Sequence, residues 1–230
     1  MPLEAIKISE ITKTRIDSIN SFEDAVWKRL DDIRNMTPEQ LRERMEESLS
    51  KKINADELVE NADDLDIQAK IEKQDKEIAN VENGNKTLEN TQEKGNYGEM
   101  KTDQELREKG YERISKDMIT EIDDIGHQGI DGVYYNPDGH PQYIIVDAKY
   151  GTAQLSDTLD GKQMSDNWID KRLDESVGKE KADEIRMEKL LNPDNVSSYI
   201  SHIDESGNVI FDKLDGKANI IEKDVKINES

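Results

Sequence analysis

The rhythm of apolar and polar positions changes once along the chain. In "SFEDAVWKRLDDI", Phe22, Val26, Leu30 and Ile33 recur at spacings of four, four and three, with charges between them. That is one apolar stripe on an amphipathic helix. Ser21 can cap it, with Asp24 three residues on in a capping-box position. A second start follows in "TPEQLRERMEESL". Thr37 is the cap, Pro38 opens the first turn, and Glu39 and Gln40 lie near the positive end of the helix dipole. Helix is therefore expected over 3–49. Residues 50–80 remain helix-compatible but are poorer in apolar side chains. Residues 81–96 hold two Gly and four Asn and read as a linker or loop.

After that the pattern mixes. One helix is expected from Tyr97 to Lys109, and "YERISKDMI" is a candidate strand. Val133–Tyr135 and Tyr143–Ala148 are β-branched and aromatic, and "NPDGHP" between them is dense in turn residues. They predict an antiparallel pair. Helical patterns follow a polar loop, at about 163–174 and 178–190. "SSYISHIDESGNVIFDKL" predicts a late hairpin turning at Ser206-Gly207-Asn208. The expected division is a helical segment with linker over 1–93 and a mixed α/β domain over 94–230. No internal repeat is visible.

Composition narrows the classes. Of 230 residues 33% are apolar and 37% charged, and the formal net charge is −21. A modest core is expected rather than one along the whole chain. No apolar run approaches the ~20 residues of a membrane span. The first residues lack the basic and apolar regions of a secretory signal. Without cysteine there are no disulfides and no thiolate metal sites. The acidity is spread out: residues 1–93 carry 14 basic and 23 acidic side chains, residues 94–230 carry 18 and 30. Nonspecific electrostatic capture of nucleic acid normally needs clustered Lys and Arg, so the charge argues against it. It leaves open a site that meets phosphate through a cation.

The candidate chemistry lies on the central pair of strands. Asp131 precedes the first strand and Asp147 lies near the end of the second. If the strands pair through the NPDGHP turn, the two carboxylates come to lie side by side. Close carboxylates repel unless positive charge lies between them. A divalent cation with oxygen ligands is the usual solution. Lys149 is two residues after Asp147 and shares its strand face. There it can assist a water or stabilise charge building on phosphate oxygens. Glu99, in "GNYGEM" at the expected start of the helix ahead of the strands, can add a third acid. Spacing alone leaves plainer readings open: a strand end at Asp131, a surface ion pair of Asp147 with Lys149, a first-turn acid at Glu99. His127 lies four residues before Asp131 and can enter the same cleft. His140 reads as a turn residue and His202 as structural. Trp27 and Trp168 read as core or interface anchors.

Together, Glu99, Asp131 and Asp147-Ala148-Lys149 look like the signature of restriction-endonuclease-like, PD-(D/E)xK metal-dependent nucleases. A longer match is more specific. "KGNYGEM", "KGYERIS", "GHQGIDGVYYNPDGHPQYIIVDAKYG", "DGKQMSDNWI" and "VGKEKADEI", in that order, resemble the C-terminal nuclease domain of bacterial polymorphic toxins. These include toxins of contact-dependent growth inhibition and of the LXG type. The resemblance covers about residues 94–215. It implies an α/β fold with a mixed sheet flanked by helices, behind a helical pre-toxin segment. It implies a DNase delivered into a competing cell, acting in that cell's cytoplasm, and blocked in the producer by a cognate immunity protein. It implies Mg²⁺, Mn²⁺ or Zn²⁺, with Asp131, Asp147 and Glu99 as metal ligands or supports. Lys149 would assist the attacking water. Gln163, on the expected helix after the site, would face the substrate or scaffold the site, and Lys162 would touch phosphate. Residues 1–93 do not resemble a complete delivery domain. An RNase of the same fold, and a noncatalytic protein whose acidic helices bind a basic partner, are the competing expectations.

Overall fold

The computed structural model describes residues 28, 32, 34–126 and 128–228, with 48–64 as backbone only. The expected amphipathic helix with Ser21, Phe22, Val26, Trp27, Leu30 and Ile33 lies outside the described residues, as does His127.

Helix α1 (Pro38–Glu82) starts where its sequence predicts. The Thr37 hydroxyl accepts from Gln40 N at 3.3 Å and Gln40 Oε1 accepts from Thr37 N at 2.9 Å, a reciprocal capping box. The chain divides within this helix, into Met1–Leu65 and Asp66–Ser230. In the first unit the described side chains of α1, Leu41 and Met45 among them, are exposed. The second unit begins earlier than the expected boundary near residue 93. Its reason is packing: Ile78 and Val81 join a cluster with Tyr97 and Met100, and Gln74 is fully buried. These positions are too sparse to read as a stripe.

Helix α2 (Thr91–Glu108) opens six residues before the expected start. Asn90 Oδ1 caps it by accepting from Glu93 N at 3.0 Å. The Asn-rich segment is thus part turn and part helix, and Glu99 falls in mid-helix rather than at a helix start. Strand β1 keeps only Glu112–Arg113 of the expected "YERISKDMI" strand. Ile114 N and Ser115 N both donate to Val133 O, so the ladder ends there. The loop that follows is tied down by Asn96 Nδ2, which donates to Ile122 O and Asp124 O.

Strands β2 (Gly132–Tyr135) and β3 (Tyr143–Tyr150) form the expected antiparallel pair, from Gly132 opposite Val146 to Tyr135 opposite Tyr143. His140 lies in the turn between them, at the far end from Asp131. A two-stranded ribbon, β4 (Asp157–Thr158) with β5 (Gly161–Lys162), occupies part of the polar stretch. Helix α3 (Asp166–Val177) therefore starts three residues later than expected, and Gln163 lies ahead of it, not on it. Gly178, at φ +84°, joins α3 to α4 (Lys179–Leu191). Strands β6 (Val196–Ile203) and β7 (Val209–Leu214) are the late hairpin, turning through Gly207 at φ +79°. Strand β8 (Ile220–Glu222) had no sequence signal.

The main sheet has the order β1-β2-β3-β6-β7-β8. Only β3 and β6 pair in parallel, the others antiparallel, so the sheet is mixed. A parallel neighbour requires a long crossover, which the ribbon, α3 and α4 supply. Tyr143 to Ala148 of β3 are all buried, the pattern of a strand covered on both faces. Ile145 packs with Trp168, Leu173 and Ile185 of α3 and α4. Ile144 and Val146 pack with Leu106 of α2 on the other face. Trp168 is a core residue, with the Arg172 guanidinium 4.4 Å above its ring. Among the described residues no helix is long and apolar enough to cross a membrane.

Candidate active site

The register of β2 and β3 decides the geometry. One step beyond the Gly132–Val146 pair stand Asp131 and Asp147. Asp131 Oδ2 accepts from Ala148 N at 2.8 Å, which pins its carboxylate against β3 beside Asp147. Asp147 is fully buried. It follows Ile145 on the face covered by α3 and α4. Gln163 Nε2 donates to Asp147 Oδ1 at 2.5 Å, and the Lys149 ammonium pairs with Oδ2. Gln163 is fixed in turn by the ribbon: its main-chain N–H donates to Ser156 O at 2.8 Å and its Oε1 accepts from Ser156 N.

Glu99 comes from α2, on the other face, and approaches where β2 has not yet begun. Its carboxyl is pushed well above the usual carboxylate range by burial first, then by Asp131, with Asp103 and Asp147 adding and Arg113 opposing. Burial and Asp131 likewise push Asp147 up, to about 8, against the pull of Lys149. Four of the sequence-predicted residues, Asp131, Asp147, Lys149 and Gln163, are thus brought together by direct contacts on β3, and Glu99 lies near enough to feel the charge of Asp131 and Asp147. Lys162 is not: its ammonium donates to Ala218 O at 2.7 Å.

A network the sequence did not signal stands behind Asp131. Asp103 on α2 is buried and accepts from the Tyr134 hydroxyl, from Arg113 Nη1 at 2.5 Å and from Gln74 Nε2 at 2.7 Å. Arg113 Nη2 donates to Asp131 O at 2.6 Å and to Asp117 O. The backbone that carries Asp131 is therefore clamped by the guanidinium of Arg113, whose side chain is 11% exposed. Gly132 makes room for this. A Cβ there would lie 2.5 Å from the Tyr134 ring and hydroxyl. Gly132→Ala is expected to cost about 1–3 kcal/mol in urea unfolding, because Tyr134 must leave its bond to Asp103 or the strand must shift. Wild-type stability in that variant would show the contact to be soft.

No protein-family model, curated protein or solved structure matches the chain.

What the site can hold follows from its donors. Among the described residues no three Asp, Glu or His side chains form a ready metal shell. Asp131 and Asp147 are two adjacent hard oxygen donors, and Mg²⁺ commonly takes one or two carboxylates from a protein and completes its shell with water and phosphate. The donor set fits an ion of that kind. It offers no nitrogen or sulfur among the five converging side chains other than the Lys149 ammonium and the Gln163 amide.

The raised carboxyls also make a stability prediction. Between about pH 4 and 8 the folded chain keeps a proton on Asp147 that the unfolded chain has lost. Stability from this group is complete below the unfolded value and disappears as pH rises through the folded one. In EDTA, the melting temperature of wild type should fall from pH 5 to pH 8. In Asp147→Asn, which carries no such proton, it should fall by about 7–15 °C less. Parallel slopes in the two proteins would mean that Asp147 is ionised in the metal-free fold.

Proposed function

We propose that residues 94–230 are a metal-dependent endonuclease domain of restriction-endonuclease-like fold, cutting DNA in a competing bacterial cell. The observation that carries this reading is the convergence of Asp131, Asp147 and Lys149 at one end of the β2–β3 pair, with Glu99 and Gln163 against them. That is the constellation implied by the ordered sequence blocks.

Asp131 and Asp147 would hold the ion, with Glu99 in support. Bound there, a divalent cation supplies Lewis-acid polarisation of phosphoryl oxygens and acidifies water. The side chains do the rest. Lys149, partly exposed beside Asp147, presents a positive charge where negative charge grows on the phosphate. Gln163 holds Asp147 in one rotamer, and Arg113 holds the main chain of Asp131. Such clamping keeps a site in its productive geometry. A nuclease made in its own producer requires a tight inhibitor, so the natural partner is an immunity protein. The acidic surface favours one with a basic face.

The test is cleavage of supercoiled plasmid and of tRNA, side by side, with Mg²⁺, Mn²⁺, Zn²⁺ or EDTA. Metal-dependent nicking of the plasmid is expected. Cutting of tRNA alone would reassign the substrate to RNA. No cleavage of either with any metal would overturn the enzyme reading in favour of an acidic interaction protein.

A further inference from the structure

The sheet face that carries Lys149 does not end at β3. Lys149 and His202 are partners across the parallel β3–β6 pair, and Asp147 is the partner of Ile200. Ile200 packs in the same cluster as Ile145, which fixes the face of both strands: Ile145, Asp147 and Lys149 on one, Ile200 and His202 on the other. On the next strand, Asp212 is the partner of Ile200 and Ile210 the partner of His202. His202 Nε2 lies 3.6 Å from Asp212 Oδ2, with side chains 26% and 10% exposed. Asp212 is held from behind, since its Oδ1 accepts from Asp224 N at 3.0 Å. The groups that face His202 are thus Lys149 on β3 and Ile210 and Asp212 on β7. The arrangement recurs side by side: a buried acid lies next to a half-buried base two residues off its own row.

We propose that His202 extends the site by one strand and binds the nucleic-acid phosphate next to the one that is cut. The proposal rests on the nuclease reading above. An imidazolium has two N–H donors. One ring nitrogen faces Asp212, and the other is left to donate to a phosphate oxygen. Neighbouring strands are separated by about 4.8 Å, so Lys149 and His202 present two N–H donors to one stretch of backbone. On an acidic chain such paired donors concentrate substrate affinity at the site instead of spreading it over the surface. His202, read from sequence as structural, becomes a binding residue.

The experiment uses the full chain, a short DNA duplex in EDTA at about pH 6, and plasmid cleavage with metal. In His202→Asn, duplex binding should weaken about tenfold and the slope of log K against log salt should fall by about 1. KM should rise with kcat little changed, and the melting temperature should hold. His202→Arg, which keeps a cation and a donor, should restore the slope and KM. A wild-type slope and KM in His202→Asn, or failure of His202→Arg to restore them, would overturn the proposal while leaving the nuclease reading intact. A wild-type protein that neither binds nor cuts would overturn both.

Discussion

Replacing Lys149 by methionine should lower metal-dependent plasmid cleavage by about 10²–10³-fold or more while leaving the fold in place. Methionine keeps most of the stem and removes only the charge. The Lys149 side chain is only 15% exposed, so a replacement of similar length is needed to fill its space, and methionine supplies one. Its partner Asp147 accepts a second bond from Gln163 and is not stranded. Far-ultraviolet circular dichroism and the melting temperature should therefore stay close to wild type. Lys149→Arg should rescue poorly, because a planar fork cannot replace a compact ammonium at this distance from a carboxylate. Asp147→Ala should be at least as inactive, since it removes both an oxygen donor and the anchor of Lys149. Full activity in Lys149→Met would take the amine out of the mechanism and leave the pair as a structural contact at the strand end.

The parts of this site that are legible in sequence are those fixed by short-range geometry. A turn-rich segment between two β-branched runs sets the hairpin register, and the register alone puts Asp131 beside Asp147. A period of two puts Lys149 on the same face as Asp147. Glu99 is read from its place at the expected helix start ahead of the strands and Gln163 from the ordered blocks, neither from periodicity, and their local settings differ from expectation for that reason. Asn90, hidden in a polar run, caps α2 early and moves Glu99 to mid-helix. The ribbon of β4 and β5 delays α3 and leaves Gln163 on a loop. His202 gave no signal because its neighbour on β3 is 53 residues away and reached only through a parallel crossover. Residues 66–82 gave none because one buried Gln and two or three apolar side chains are enough to dock a helix, and too few to make a stripe.

The largest stability effect is expected at Asp103, which no sequence pattern marks. Its carboxylate is the common acceptor for Arg113, Tyr134 and Gln74, side chains from four separate elements counting its own. Asp103→Leu removes that acceptor and leaves a buried guanidinium, hydroxyl and amide without it. Breaking a buried pair in this way costs about 3–5 kcal/mol, because the surviving charge is uncompensated. For a chain of this size that is a fall of roughly 6–20 °C in melting temperature. Arg113→Met should cost a comparable amount, since Asp103 and Glu99, one turn apart on α2, then lose the guanidinium that offsets their charge. The two losses are not independent. In the double variant Asp103→Leu/Arg113→Met both charges are gone and apolar groups fill the volume, so much of the loss should return. Cleavage should not return with it. The double variant lacks the bond from Arg113 Nη2 to Asp131 O, and the loop carrying Asp131 loses its clamp. A double variant as unstable as the sum of the singles would mean that the network acts through separate contacts. One that is both stable and fully active would mean that Asp131 is held by its bond to Ala148 alone.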